Sequence, residues 1–168
     1  MNTQLLAIRA EDLLLLSSQA QNEQDIAQAS GIQAKLDLQH RAPILEILLT
    51  QAQLIATSCL HYALVAQFPF RNVQQPDLSA HYNLVHQVAE ISQALDEISI
   101  EQFQRCYHPQ YLQQAKLLSE AWGQAPEQEQ AGLVLSFTQL QNFYRVSFEQ
   151  HYAVVSLHNQ NTSPAICC

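Results

Sequence analysis

Between Leu36 and Thr50 the chain reads LDLQHRAPILEILLT, and this stretch constrains the fold more than any other. It opens Leu-Asp-Leu, steps through His40 and Arg41, and closes on an apolar run ending at Leu49-Thr50. Ile44, Leu45, Leu48, Leu49 and Ile55 recur at three- and four-residue spacing, the period of a helix that buries one face. Pro43 suits the first turn of such a helix, where its missing N–H costs nothing. Asp37 is read as the residue that opens this helix, either as its cap or as a partner for Arg41.

Further helices and up to three short strands follow from the same patterns. Gln4–Ile8 reads as a first strand, running into a helix over Glu11–Gln19 with Leu13 to Leu16 on a wide apolar face. Gln21–Gln33 is polar and reads as a helix or a loose connection ending near Gly31. Tyr62–Phe68 reads as a buried strand, and Pro69 and Pro76 bracket a loop. Asp77 can cap a helix whose stripe is Leu84, Val88, Ile91, Leu95 and Ile98, and His81 falls on that stripe.

Ser99 with Gln102 three residues on is a capping-box pattern for a short helix to Tyr107. Pro109 starts a helix reaching about Trp122, and Gly123 and Pro126 mark a break. Glu127 and Glu129 favour a new helix start through the helix dipole, with Leu133, Phe137, Leu140, Tyr144 and Phe148 on one face. Tyr152–Leu157, centred on Val154 and Val155, reads as a last strand. The layout is α+β, predominantly helical, with a small sheet of N-terminal, central and C-terminal strands. Residues 1–158 form one domain and residues 159–168 a flexible tail.

Two segments carry a family resemblance. Leu36–Thr50 is similar to the signature segment of the YfbM-like family, a bacterial family without an assigned function. Phe137–Leu157, FTQLQNFYRVSFEQHYAVVSL, resembles its closing helix and strand, where a Phe-Tyr pair precedes Ala-Val-Val. The resemblance implies a small sheet packed by helices, and it marks Asp37, Arg41, Thr50, Phe143 and Tyr144 as the motif residues. The chain departs from the pattern at three places. Ala42 and Glu46 stand where the family usually has Trp and His, and Gln51 stands where it has Gly. Any activity that depends on that Trp and His would be lost in this chain.

The balance of charge excludes some partners. Fifteen acidic residues against seven basic ones give a net charge of −8, and Arg9, Arg41, Arg71, Arg105 and Arg145 are scattered. Nucleic-acid binding needs a basic patch, so a nucleic acid is not expected as a partner. Only 13 % of residues are charged, about half the usual share, and glutamine outnumbers leucine. No apolar run approaches the roughly 20 residues of a membrane span. Arg9, Glu11 and Asp12 interrupt the early apolar residues, so no signal peptide is visible. Cys59, Cys106, Cys167 and Cys168 lack metal-site or disulfide spacing, which fits a cytoplasmic protein with reduced thiols. Nothing upstream of the terminal Cys pair is polybasic, as a lipidated end would require.

Motifs for catalysis are missing. Gly31, Gly123 and Gly132 are isolated, which leaves no phosphate-cradling loop, and there is no nucleophile elbow. Seven histidines invite a metal reading, but only His86 and Glu90 share a face, and two ligands make no zinc site. No cofactor and no metal are expected. Asp96, Glu97 and Glu101 form an acidic group, and Asp96 and Glu97 lie at a helix C-terminus, where the dipole disfavours them. The reading that fits is a non-catalytic domain binding a basic protein, in the manner of an immunity protein that neutralises a toxin. A second reading is a small enzyme using Asp37, Glu46 and one or more of His40, His61 and His108. A third is a homodimeric scaffold with an aromatic patch at Tyr107–Tyr111.

Overall fold

The computed structural model describes residues 2–52, 58–73, 77–114 and 126–159. Its sheet is organised by two strands whose residues are apolar on both sides. In β1 (Asn2–Arg9), Leu5 and Ala7 enter one hydrophobic cluster while Leu6 and Ile8 enter another. In β5 (Tyr152–Asn159), Val154 joins the first cluster, and Ala153, Val155 and Leu157 join the second. Strands covered on both faces belong at the centre of a sheet, and β1 and β5 are paired there antiparallel, Asn2 with Asn159 through Arg9 with Tyr152. β2 (Ile32–Gln39) lies outside β1, while β4 (Leu78–Asn83) and the two-residue β3 (Phe68–Pro69) lie beyond β5. The order is β2-β1-β5-β4-β3, with every pair antiparallel.

The helices divide between the two faces. α1 (Ala10–Gln19) and α2 (Glu23–Ala27) cover the smaller cluster with Leu13 and Ile26. α3 (Ala42–Ala52), a 310 helix (Ser58–Ala63), α4 (Val85–Asp96), α5 (Ile100–Arg105), α6 (Pro109–Gln114) and α7 (Pro126–Glu149) contribute to the larger one. There the Phe103 and Phe137 rings stack with centroids 4.3 Å apart. Such a pair adds about 0.5–1.5 kcal/mol beyond the area it buries. The chain is therefore α+β, as its patterns predict, and α3, α5 and α7 begin close to their expected starts, whereas α4 begins at Val85, after a strand. The capping box on α5 forms: Ser99 Oγ accepts from Gln102 N–H, and Gln102 Oε1 accepts from Ser99 N–H.

Four expectations are corrected. Asp37 does not open a helix. It lies exposed in β2, where Ile32, Ala34, Leu36 and Leu38 alternate with Gln33, Lys35, Asp37 and Gln39. That period-two alternation is a strand signal, and the helical period of the following run overshadows it. Asp77 likewise precedes a strand, so His81 sits half-buried in β4 while His86 is on α4. The expected strand at Tyr62–Phe68 is mostly 310 helix and turn. Phe148, placed on the buried stripe of α7, is 44 % exposed. The helix expected from Pro109 is described to Gln114, and the Gly123 break lies outside the described residues. Of the expected tail, Asn159 pairs in β5 and the remainder lies outside the described residues.

The segment Tyr62–Gln67 shows why a strand loses there. Its backbone groups are bonded by side chains instead of a ladder. Asn83, fully buried, donates from Nδ2 to Tyr62 O at 2.8 Å and accepts from Gln67 N–H at Oδ1, 2.9 Å. Ser156 Oγ accepts from Ala66 N–H, and Tyr144 Oη donates to Ala63 O at 2.8 Å. Buried backbone groups need partners of some kind, and here three other elements supply them.

Candidate functional site

The family-motif residues build a corner, not a pocket. Gln39 ends β2 with a φ of 48°, a left-handed conformation uncommon outside glycine. Asp37 Oδ1 accepts from Gln39 N–H at 2.9 Å, a local side-chain turn that steadies this bend. Two residues on, the Arg41 carbonyl accepts from Ile44 and Leu45 N–H and so starts α3. Its guanidinium crosses to α7, with Nη1 donating to Ser136 Oγ at 3.4 Å. A methyl group on Gly132 would lie 2.9 Å from Arg41 Nη2, so this mid-helix glycine leaves room for the arginine. Thr50 Oγ1 donates to Glu46 O inside α3. Tyr144 is fully buried, and burial pushes its phenol well above its usual range, so the hydroxyl is a fixed donor to Ala63 O. Phe143 packs edge-on against Tyr144, 5.8 Å between centroids.

Of the residues named for an enzyme, Glu46 and His61 meet. His61 Nδ1 lies 3.2 Å from Glu46 Oε1. The His61 side chain is 60 % exposed and its ring meets Tyr62 edge-on. Asp37 shares a sheet face with Lys35, whose Nζ donates to Ala27 O beside α2, whereas α3 packs on the opposite face. His40 and His108 are exposed. Burial, with Glu90 and Glu97 adding to it, pushes the Cys59 thiol up; burial alone does so for Cys106. Neither carries the lowered pKa of an activated nucleophile. Among the described residues no three His, Cys, Asp or Glu side chains converge to hold a metal ion.

The acidic residues behave differently. α4 buries Val88, Ile91 and Leu95 against the core, which turns Glu90, Gln93, Asp96 and Glu97 outward. α7 packs beside it and fixes its end: Gln141 Nε2 donates to Leu95 O at 2.8 Å and to Ile98 O at 3.1 Å. Leu95 O lies in the last turn of α4, where intrahelical donors run out, and Ile98 O lies just beyond it. Between the two helices lies a groove of about 630 Å³, with Glu90, Asp96 and Glu97 on one wall and Arg145, Phe148 and Glu149 on the other. Arg145 Nη2 bonds Asp96 Oδ1 at 2.7 Å across it, which offsets the dipole penalty on Asp96. Four carboxylates thus face one guanidinium around an open phenyl ring. Glu101 does not line this groove. It lies in the first turn of α5, where its own N–H and the Ser99 hydroxyl hold its carboxyl below the usual range.

Sequence reasoning named Asp96 and Glu97 but missed Glu90, Arg145, Phe148 and Glu149 as their neighbours. Nothing local marks them, because the groove exists only once α4 and α7 pack. Among the described residues no helix is long and apolar enough to cross a membrane.

The family described as a domain of unknown function (DUF1877) matches residues 2–156. No curated protein matches the sequence. The crystal structure of YfbM from Escherichia coli, titled a protein of unknown function, superposes with a TM-score of 0.70 at 17 % identity. The match covers 94 % of this chain and 99 % of that one. The YfbM-like resemblance of the two segments is thereby borne out, and the shared fold with it.

Proposed function

The chain belongs to the DUF1877 family, and on that premise we propose that it is a non-catalytic domain that binds a basic protein in the α4–α7 groove. The observation that carries this reading is the groove's composition: Glu90, Asp96, Glu97 and Glu149 against Arg145, around the exposed Phe148. An apolar anchor in a ring where carboxylates outnumber the one guanidinium fits a partner that presents an apolar side chain among Lys and Arg. A net charge of −8 adds long-range steering of such a partner. The specific form of this reading is an immunity protein that neutralises a basic toxin by direct contact. Neutralisation requires surface complementarity and fast association rather than catalytic groups.

The enzyme reading has one observation in its favour, the Glu46–His61 contact. It leaves both side chains at the surface and lacks the third group, because Asp37 lies on the other side of the sheet.

Affinity capture with wild-type bait and with an Asp96→Lys/Glu97→Lys variant, compared at low and moderate salt, tests the groove. A stoichiometric basic partner should bind the wild type and bind the variant roughly 10–100-fold more weakly, about 1.4–2.8 kcal/mol. Glu101→Lys, outside the groove, should bind almost as well as wild type. Growth rescue of cells expressing the captured partner then tests neutralisation. A partner indifferent to both groove substitutions would remove the groove from the account.

A further inference from the structure

β2 is an edge strand: among the described residues, only β1 pairs with it. Its register with β1 shifts at both ends and is regular from Ala34 to Asp37. On one face of that regular stretch stand Lys35 and Asp37, both exposed. On the other stand Ala34 and Leu36, beside a cleft of about 270 Å³ shared with Gln139, Asn142, Phe143 and Val146 of α7. Leu135, Gln139, Asn142 and Val146 follow one another at four-, three- and four-residue spacing, a single stripe along α7. The stripe's apolar ends are open to solvent, Leu135 at 56 % and Val146 at 39 % exposure.

We propose that two copies of this chain join edge to edge through β2, antiparallel, with Leu36 on the two-fold axis. The charges of the strand favour that register over the two beside it. Paired residues in a ladder share a face, so a two-fold must pass through a residue, and only alternate registers are open. An axis at Lys35 sets two lysines directly opposite, and an axis at Asp37 sets two aspartates opposite. Like charges directly opposite are destabilising. An axis at Leu36 sets each Lys35 opposite the partner's Asp37, inside the regular stretch. Leu36 then meets its own copy on the α7 side.

The side chains are free enough to do this. Lys35 Nζ uses one donor on Ala27 O, and Asp37 uses one oxygen on Gln39 N–H, which leaves two donors and one oxygen for the partner. A lysine and irregular register at an edge are devices that limit promiscuous strand addition. Here they confine pairing to the short stretch whose charges match. A ladder that short is small against the roughly 1,200 Å² of a stable interface. The α7 stripe, with Leu135 and Val146 uncovered, supplies the remaining surface. None of the four stripe residues lines the acidic groove, so a dimer would present two grooves.

Sedimentation equilibrium of the purified chain, with Lys35→Asp, Asp37→Lys and the Lys35→Asp/Asp37→Lys double variant, tests the proposal. Wild type should be a dimer. Each single variant places two like-charged contacts across the axis and should weaken the dimer at least tenfold. The double variant restores both pairs with their signs exchanged and should dimerise again, although it lacks both intramolecular bonds of the wild-type side chains. Circular dichroism checks that all four fold. A monomeric wild type would overturn the proposal, as would a dimer indifferent to the single variants or a double variant that stays dissociated. None of these outcomes bears on capture of a basic partner at the groove.

Discussion

The two faces of the sheet are unequal. The α3–α7 face buries the Phe103–Phe137 stack, Tyr144 and a set of hydrogen-bonded polar groups, among them Asn83, Ser156 and His158. The α1–α2 face buries a thinner layer around Leu6, Ile8, Leu13, Ile26 and Val155, and leaves Leu14 and Leu15 at the surface. The larger face carries three of the residues that the resemblance marks: Arg41 and Tyr144 bond across its elements, and Phe143 packs beside Tyr144. In this chain these residues hold elements of the larger face together and line no catalytic pocket among the described residues. The surfaces available for recognition lie on the flanks of α7, away from the motif.

Truncation gives the largest expected separation between the faces. Phe137→Ala removes half of a stacked pair inside a densely packed layer and should cost about 3–5 kcal/mol, whereas Ile26→Ala under short α2 should cost about 2–3 kcal/mol. Urea unfolding of both variants measures the difference, and equal losses would mean that the two layers are packed alike. The second effect is a pH dependence that belongs to the larger face alone. His158 is 4 % exposed, with Nδ1 3.0 Å from Thr3 Oγ1 and the Leu64 backbone as a weaker contact that partly opposes the effect of burial. Burial, aided by His81 across the strand pair, depresses its pKa to about 4.

The unfolded chain therefore binds a proton near pH 6.5 that the folded chain refuses until about pH 4. Stability is fully present above pH 6.5 and falls as pH drops through that window, by up to about 3 kcal/mol. Unfolding curves at pH 7 and 4.5 for wild type and His158→Asn isolate this part: the variant should lose less stability on acidification. An identical pH response would assign the acid loss to carboxylates elsewhere. The smallest effect is expected on the outer surface of α1, where Leu14 is 71 % exposed. Leu14→Gln should change stability by no more than about 0.5 kcal/mol, and a larger loss, read by thermal melting, would mean that Leu14 is covered in solution.

Legibility in the sequence followed the range of the interaction. The helices over Ile44–Ala52, Val85–Asp96 and Pro126–Glu149 show their apolar stripes locally, and so does the Ser99–Gln102 capping box. β1 and β5 were legible as short apolar runs, and β2 was legible too, in the alternation from Ile32 to Gln39, although the helical run beside it dominated. The Tyr62–Gln67 segment was not. Its composition favours a strand, but its conformation is set by Asn83, Tyr144 and Ser156, residues 16 to 90 positions away. The candidate site divides in the same way: Asp96 and Glu97 stand out as carboxylates at a helix end, and their groove partners on α7 do not.

The sequence by itself determined the class of fold, its family and the acidity of its surface, because periodicity, caps, motif residues and net charge are local or additive properties. Tertiary structure decided the rest. It placed Asp37 near a strand end that closes on a left-handed Gln39, seated Arg41 over Gly132, buried His158 beside Thr3, and made a groove from two helices about 50 residues apart in the chain. Each of these depends on which surfaces meet once apolar area is buried. That choice is made by the whole chain at once, and no single segment encodes it.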